Sequence, residues 1–136
     1  MELLHASAVA FGDGAALLIG PSGSGKSALA LELMAYGGTL VADDRVSVER
    51  RPTGVWLDAP DALRGQIEAR GIGILSCPSA PAFLAVVVDL EVQETDRLPQ
   101  TKETVIAGVS FPLLHKVESP SFAAMLRAYL VGEGCA

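Results

Sequence analysis

The sequence predicts one α/β domain built on a mixed β-sheet, with a parallel centre, antiparallel additions and flanking helices. Two observations carry this prediction: apolar strand-like runs alternate with helical segments, and several of these runs follow one another closely along the chain. With 136 residues the chain has the length of a single domain, to which we assign residues 1–136. Because 50% of the residues are hydrophobic and 19% are charged, composition excludes a disordered chain.

The first 19 residues predict a strand, a tight turn and a second strand. Residues 3–11 alternate loosely between apolar and polar side chains, and Gly12-Asp13-Gly14 is typical of a hairpin turn. Residues 15–19 are all apolar, as expected of a parallel strand that is buried on both faces. This second strand leads directly into the most specific motif of the chain.

Residues 20–27 fit the phosphate-binding loop pattern G-x-x-x-x-G-K-[ST] at every fixed position. In such a loop the backbone N–H groups cradle phosphate oxygens, Lys26 can reach the β- and γ-phosphates, and the Ser27 hydroxyl can ligate Mg²⁺. A helix predicted over residues 27–36 would point its N-terminal dipole at the same anion, and Gly37-Gly38 would end it. A Gly-rich turn before an ordinary helix is the alternative. The predicted phosphate-binding residues are Gly20, Pro21, Ser22, Gly23, Ser24, Gly25, Lys26 and Ser27.

A pair of acids follows the next apolar run. Residues 39–42 predict a short strand that ends in Asp43-Asp44, at the end of the strand where ligands bind in α/β sheets. Adjacent side chains on an extended strand face opposite ways, so the two acids cannot both point inward. We expect one to hold Mg²⁺ or brace its neighbour while the other accepts a hydroxyl proton. A solvated strand end or a cap is the alternative.

The middle of the chain predicts short strands and turns. Residues 46–48 either continue the preceding strand or form a hairpin with residues 55–57, and Pro60-Asp61 opens a helical turn. Further on, Glu68 and Arg70 would share one face of a strand, where a carboxylate and a guanidinium suit metal ligation and oxyanion stabilisation. An exposed ion pair of little energetic consequence is the alternative.

The C-terminal part predicts a second buried strand, a strand pair and a closing helix. The buried strand covers residues 83–89 and ends in Asp89, a position that supports Mg²⁺ in many phosphate-loop proteins, although any buried strand can end in Asp. Residues 104–114 predict a strand pair that turns at Gly108. The helix over residues 120–131 could pack on its own core or on another subunit, which leaves a homo-oligomer open. Its predicted apolar stripe consists of Phe122, Met125, Leu126, Tyr129 and Leu130.

Charge and cysteine usage exclude several classes of protein. The net charge of −6 argues against nucleic acid as a partner, because duplex binding needs a basic face. Cys77 and Cys135 are too few for a disulfide framework or a metal cluster, so we expect plain thiols. The N-terminus lacks a basic segment typical of a signal peptide, and the apolar run 83–88 is too short to span a bilayer. We therefore expect no membrane association and a cytoplasmic location.

Four segments, in this order along the chain, resemble the C-terminal catalytic domain of the HPr kinase/phosphorylase family. They are residues 4–9, residues 20–33, residues 40–44 and residues 67–74. The last, Ile-Glu-Ala-Arg-Gly-Ile-Gly-Ile, is similar to the family signature, in which Glu, a spacer, Arg, Gly, an apolar residue and Gly recur. The resemblance implies a phosphate-loop kinase core.

This resemblance implies an activity and its requirements. Members of the family phosphorylate a serine of the phosphocarrier protein HPr of the phosphotransferase system, using ATP or pyrophosphate with Mg²⁺. Many also run the reverse phosphorolysis. A cytoplasmic protein-serine kinase acting on an HPr-like phosphocarrier is therefore the function that the resemblance implies for this chain.

The resemblance also implies roles for individual residues. Asp44 matches the base that takes the proton from the target serine, with Asp43 beside it. The matches to the Mg²⁺ ligands are Ser27 and Glu68, and Lys26 would hold the nucleotide phosphates. By the same comparison Arg70 supports the active site and His5 lies near the transferred phosphate, whereas His5 taken alone is more often structural.

The chain departs from the family pattern in three places. Ala69 replaces the usual large spacer of the signature, and residues 111–120 contain no counterpart of the family's Pro-Gly-Arg-like loop. Family members usually carry an N-terminal domain, and this chain resembles a short form that lacks it. These departures leave phosphorolysis open, and they keep two alternatives: a non-catalytic nucleotide-sensing regulatory module, and a small-molecule kinase on the same scaffold.

Overall fold

A computed structural model describes residues 1–132; the prediction for Cys135 lies outside them. Within this range eleven strands, two α-helices and one turn of 3₁₀-helix follow one another. The helices are α1 (Lys26–Ala35) and α2 (Phe122–Val131), and the 3₁₀ turn is Asp61–Leu63. The strands are β1 (Glu2–Leu4), β2 (Ser7–Phe11), β3 (Gly14–Ile19), β4 (Thr39–Ala42), β5 (Val46–Arg51), β6 (Gly54–Asp58), β7 (Gln66–Ala69), β8 (Gly73–Ser76), β9 (Ala82–Gln93), β10 (Lys102–Ile106) and β11 (Val109–Lys116).

Nine strands form one mixed sheet, and β7 and β8 form a separate hairpin. The order in the main sheet is β1-β5-β6-β9-β3-β2-β4, and β11 joins β9 with β10 at its outer side. Strand β9 is the centre, because it pairs in parallel with both β3 and β11. The remaining pairings are antiparallel. The predicted fold class, with a parallel centre and antiparallel additions, is confirmed.

The central strands are buried on both faces, which explains their apolar sequences. In β3, Leu17 belongs to one hydrophobic cluster and Leu18 to the other, because successive side chains of a strand point to opposite faces. Both helices contribute to the second cluster, for example through Leu33 and Leu126. Side chains of β5, β6 and β11 complete the first cluster, so strands rather than helices cover that face.

Residues 3–11 form two strands instead of the single strand that their alternation predicted. The chain bends at His5 and Ala6, because β1 pairs with β5 whereas β2 lies between β3 and β4 in another part of the sheet. One straight strand cannot serve both positions. Of the two arrangements left open for residues 46–48, the hairpin is confirmed, since β5 pairs with β6 in antiparallel register.

The closing helix is confirmed, but its buried stripe is narrower than predicted. Phe122 and Leu126 are buried, whereas Met125 and Tyr129 are 44% and 49% exposed. Ala123 takes part in the buried face instead. The helix contacts α1, and the guanidinium of Arg127 donates a hydrogen bond of 3.1 Å to the carbonyl of Tyr36 at the C-terminal end of α1.

Candidate active site

The Gly-rich loop turns back on itself between β3 and α1. Gly20, Gly23 and Gly25 have φ angles of +147°, +86° and +99°, in a region that side chains with a Cβ rarely occupy. Gly25 is the N-cap of α1 and no side chain caps the helix. The first N–H groups of α1 are therefore available to an anion, as the sequence pattern predicts.

Lys26 places its ammonium group within this loop. The residue is only 7% exposed, and its Nζ atom donates to the carbonyl oxygens of Gly20 at 2.7 Å and Pro21 at 3.1 Å. An ammonium has three donors, so two hold it over the loop and one remains for a ligand. This arrangement presents a positive charge at the place where a phosphate chain meets the loop.

Asp43 is a buried carboxylate that connects three parts of the fold. Its Oδ1 atom accepts hydrogen bonds from the hydroxyls of Ser7 at 2.7 Å and Ser27 at 2.8 Å, and its Oδ2 atom accepts one from the backbone N–H of Glu68 at 3.2 Å. The residue is 6% exposed. Because the Ser27 hydroxyl donates its proton to Asp43, the lone pairs on Ser27 Oγ stay free for a cation. The geometry thus suits Asp43 for holding the two serine hydroxyls and the backbone of Glu68 in place.

Asp44, the neighbouring acid, is exposed where Asp43 is buried. It lies just beyond β4 at a φ of +71°, in a tight turn closed by a 2.8 Å hydrogen bond from the N–H of Arg45 to the carbonyl of Asp43. Its side chain is 61% exposed, and its Oδ1 atom lies 3.2 Å from His5 Nε2 and 3.5 Å from a guanidinium nitrogen of Arg45. The turn separates the two acids into one buried and one accessible carboxylate.

A cleft of about 470 Å³ brings most of the predicted residues together. They come from the bend after β1, the loop, the end of β4 and the β7–β8 hairpin, which are far apart in sequence. Asp43 lines an adjoining cleft of about 260 Å³ with Ser27, Asp44 and Glu68. The predicted residues that line the larger cleft are His5, Ser22, Gly23, Gly25, Lys26, Ser27, Asp44, Glu68 and Arg70.

Glu68 and Arg70 reach the cleft in a different way from that predicted. Strand β7 ends at Ala69, so Arg70 lies in the turn to β8 and does not share a strand face with Glu68. Gly71 and Gly73, with φ angles of +92° and +136°, permit this turn. Within residues 1–132 no ion pair joins the two side chains, so the alternative of an exposed Glu–Arg pair is not what the geometry shows.

The residues around the cleft fit a magnesium ion. Ser27 Oγ and the Glu68 carboxylate are hard oxygen donors, and both line the same cleft. In the part of the chain that the structure describes, no group of three or more His, Cys, Asp or Glu side chains forms a metal site on its own. The two donors are what the fit depends on, because Mg²⁺ commonly takes one or two protein oxygens and completes its shell with phosphate oxygens and water.

Asp89, which the sequence offered as a candidate, lies outside the cleft, and Ser7, which contributes to the site, was missed. Asp89 lies within β9, beside Ile19 and His115 in the sheet, and its carboxylate accepts a hydrogen bond from the N–H of Glu91. Ser7 was not predicted, although it is 1% exposed and holds Asp43. The one signal for it in the sequence is a hydroxyl in an otherwise apolar strand.

The thiol of Cys77 lies near this site, and the charge of Asp43 affects its pKa. Burial first, and then the nearby carboxylate of Asp43, raises the pKa of Cys77 above its ordinary value of 9.0. The residue is a free, half-buried thiol whose sulfur lies 3.4 Å from the carbonyl of Gly65. A raised pKa keeps the thiol protonated at neutral pH, which agrees with the prediction of a plain thiol.

Within residues 1–132 no helix is long and apolar enough to cross a membrane.

Comparison with known proteins identifies relatives of this chain. The family model described as "HPr Serine kinase C-terminal domain" matches residues 1–112. Curated proteins named "HPr kinase/phosphorylase" from Caldicellulosiruptor bescii and Azoarcus sp. are 36% identical over 118 residues and 40% identical over 110 residues. The two alignments cover 76% and 70% of this chain but 38% and 35% of those proteins, so the chain spans about a third of the length of these relatives.

A solved structure shares the fold over nearly the whole chain. It is described as the structure of the Hpr(Ser) kinase/phosphatase from Coxiella burnetii, and it superposes with a TM-score of 0.77. The match covers 99% of this chain and 97% of that chain at 19% sequence identity. At this identity the likeness shows the fold alone.

Proposed function

The chain belongs to the HPr serine kinase C-terminal domain family, and from that premise we propose that it is an ATP-dependent protein-serine kinase acting on an HPr-like phosphocarrier of the phosphotransferase system. One observation carries the proposal. The accessible carboxylate of Asp44 lines the same cleft as Lys26 and Ser27 of the phosphate-binding loop. A proton acceptor beside a phosphate cradle is the arrangement that transfer to a hydroxyl requires.

The loop binds and orients the phosphates of the donor. The first residues of α1 line the cleft and their N–H groups have no side-chain cap, and the ammonium of Lys26 supplies a positive charge that the loop carbonyls already hold in place. These donors are preorganised, so they offset the negative charge that spreads over the transferred group without moving during the reaction. Mg²⁺ held by Ser27 and Glu68 would neutralise further charge on the phosphate oxygens.

Asp44 accepts the proton of the acceptor serine. As the serine Oγ forms its bond to the γ-phosphorus, the bond from that phosphorus to the bridging oxygen of the β-phosphate breaks, and ADP leaves with the electron pair. The hydroxyl proton passes to the Asp44 carboxylate. Asp43 is less suited to this role, because three hydrogen bonds already occupy its oxygens and it is buried.

His5 and Arg70 contribute to this step from two different parts of the cleft. The imidazole of His5 lies 3.2 Å from Asp44 Oδ1, so it orients the carboxylate and lies beside the transferred group. Arg70 lines the cleft from the β7–β8 turn, where its guanidinium can contact phosphate oxygens. In the reverse direction the same groups would serve phosphorolysis, because Asp44 would return its proton to the serine oxygen.

The openness of the site favours a protein over a small molecule as the acceptor. Asp44 is 61% exposed, and Ile72 and Ile74 beside the cleft are 79% and 62% exposed. An enzyme for a small molecule encloses its substrate, whereas a protein substrate covers the site with its own surface. A nucleotide-sensing module without catalysis would not need an accessible carboxylate beside the phosphate loop.

Transfer of labelled phosphate tests the proposal. The protein is incubated with γ-labelled ATP, Mg²⁺ and the HPr-type phosphocarrier of the same genome, and in parallel with a phosphocarrier whose target serine is replaced by alanine. We expect label on the first phosphocarrier only. Intact nucleotide binding without label on either would contradict the kinase and favour the sensing module.

A further inference from the structure

The two residues assigned to Mg²⁺, Ser27 and Glu68, are both held by one buried carboxylate. The hydroxyl of Ser27 donates to Asp43 Oδ1 at 2.8 Å, and the backbone N–H of Glu68 donates to Asp43 Oδ2 at 3.2 Å. Asp43 therefore connects the first turn of α1 with the β7–β8 hairpin, which lies outside the main sheet. The relative position of the two magnesium ligands depends on how this carboxylate is oriented.

A third donor, the hydroxyl of Ser7, fixes that orientation. It donates to Asp43 Oδ1 at 2.7 Å, and the residue is only 1% exposed. Hydrogen bonds to an ionised acceptor are stronger than those between neutral groups. Among the three donors to Asp43, Ser7 alone is not assigned to the metal, so it holds the carboxylate from outside the metal site.

Ser7 belongs to the central part of the sheet. Its strand, β2, lies between β3, which leads into the phosphate-binding loop, and β4, which ends just before Asp43. The register between β2 and β4 shifts between Ala8 and Val9, so that β4 contains one extra residue, Val41. Bulges of this kind redirect the end of a strand and often lie beside active sites. This bulge comes directly before the point where Asp43 meets the Ser7 hydroxyl.

Packing of the strand does not account for a hydroxyl at this position. The same strand already contains two buried alanines, Ala8 and Ala10, so a small apolar side chain would suit it. A buried hydroxyl is unfavourable unless it is hydrogen-bonded, whereas alanine buries no polar group. The hydroxyl of Ser7 therefore serves the carboxylate that it contacts.

We propose that Ser7 is a positioning residue that sets the affinity of the site for Mg²⁺. With its hydroxyl in place, Asp43 keeps the proton of Ser27 away from the lone pairs that would bind the cation, and it keeps the backbone of Glu68 beside them. Without that hydroxyl the carboxylate can rotate, and both ligands lose a fixed partner. The proposal rests on the proposed function for the binding of Mg²⁺ with a nucleotide, and it adds a residue that acts through Asp43.

Calorimetric titration with AMP-PNP, a non-hydrolysable ATP analogue, tests the proposal when it is done once with Mg²⁺ and once with EDTA. The ratio of the two dissociation constants measures how much the metal ion contributes to binding. We expect Ser7→Ala to reduce this contribution by about tenfold, because partners that orient metal ligands commonly have effects of this size. The affinity measured in EDTA should stay within about twofold of the wild type, since Ser7 does not hold the loop.

Two further variants separate the hydroxyl from packing. Ser7→Thr and Ser7→Val add similar bulk at the same place and differ in one hydroxyl, so we expect the metal contribution to be about tenfold larger in Ser7→Thr. This comparison also decides the matter if Ser7→Ala does not fold. The matched control is Ser47→Ala, which removes a hydroxyl from a buried residue of β5 outside both clefts and should keep the wild-type ratio. Circular dichroism establishes which variants are folded.

The other outcomes are decisive as well. A wild-type metal contribution in folded Ser7→Ala, or equal contributions in Ser7→Thr and Ser7→Val, would overturn the proposal. Equal losses of affinity with Mg²⁺ and with EDTA would show a purely structural role and overturn it too. In each of these cases phosphate transfer by the wild-type protein would still support the proposed function. Failure of the wild-type protein to bind AMP-PNP would remove the proposed function and this proposal together.

Discussion

At the scale of single residues, the two adjacent acids have different roles because the chain turns sharply between them. Asp43 directly follows the last residue of β4, is buried and accepts three hydrogen bonds, whereas Asp44 has a positive φ angle and lines the cleft. A non-glycine residue at positive φ is uncommon, and such strain tends to occur at functional positions. The sequence alone predicts that the acids diverge, but not which of them faces inward.

The different surroundings of the two acids predict different effects on stability. We expect Asp43→Asn to lower the free energy of unfolding by about 2 kcal/mol more than Asp44→Asn. The amide nitrogen that Asp43→Asn introduces would face either the two serine hydroxyls or the fixed N–H of Glu68, whereas Asp44 is exposed and tolerates the change. Urea denaturation of both variants measures this difference. Equal losses would show that Asp43 does not brace the site.

At the scale of elements, the site depends on short segments that meet from distant parts of the chain. The loop and α1 could be predicted, because their conformation follows from a local pattern of glycines and helical periodicity. The position of β1 beside β5, and the hairpin that brings Glu68 to Asp43, could not, because these contacts depend on packing between segments far apart in sequence. Ser7 was missed for the same reason.

The connection from β9 to β10 contains a carboxylate, Glu94, whose contribution to stability should depend on pH. Glu94 accepts a 2.9 Å hydrogen bond from the ammonium of Lys102 and two of 3.1 Å from the N–H groups of Thr95 and Asp96. The Lys102 contact first, and then the backbone donors, holds the pKa of Glu94 below its ordinary value of 4.5. A lowered folded-state pKa gives stability that is present above the ordinary value and lost as pH falls through the folded-state value.

We therefore expect Glu94→Gln to be less stable than the wild type at pH 7, with a difference that shrinks as the pH is lowered below 4.5. Glutamine can still accept from the backbone N–H groups, so the comparison isolates the charge. Urea denaturation from pH 7 down to pH 3 measures the difference. A difference that is independent of pH would show that the carboxylate charge contributes nothing to this connection.

At the scale of the whole molecule, the sheet brings the functional segments to one edge. Strands β3 and β4 both run antiparallel to β2, so their C-terminal ends, which carry the loop and the acid pair, lie at the same edge. Ligands bind at this edge in α/β folds. The resemblance found in the sequence agrees with the family match and with the shared fold, whereas the roles of individual residues stay predictions.

The most direct test of the role of Asp44 measures nucleotide binding and phosphate transfer separately in the Asp44→Asn variant. We expect this variant to bind Mg²⁺ and AMP-PNP with wild-type affinity but to lose at least about a hundredfold in phosphate transfer from ATP to the phosphocarrier, because it keeps the phosphate cradle and lacks the base. Asp89→Asn is the matched control, since Asp89 lies outside the cleft and should keep both properties. Wild-type transfer rates in Asp44→Asn would contradict the assignment of Asp44 as the proton acceptor.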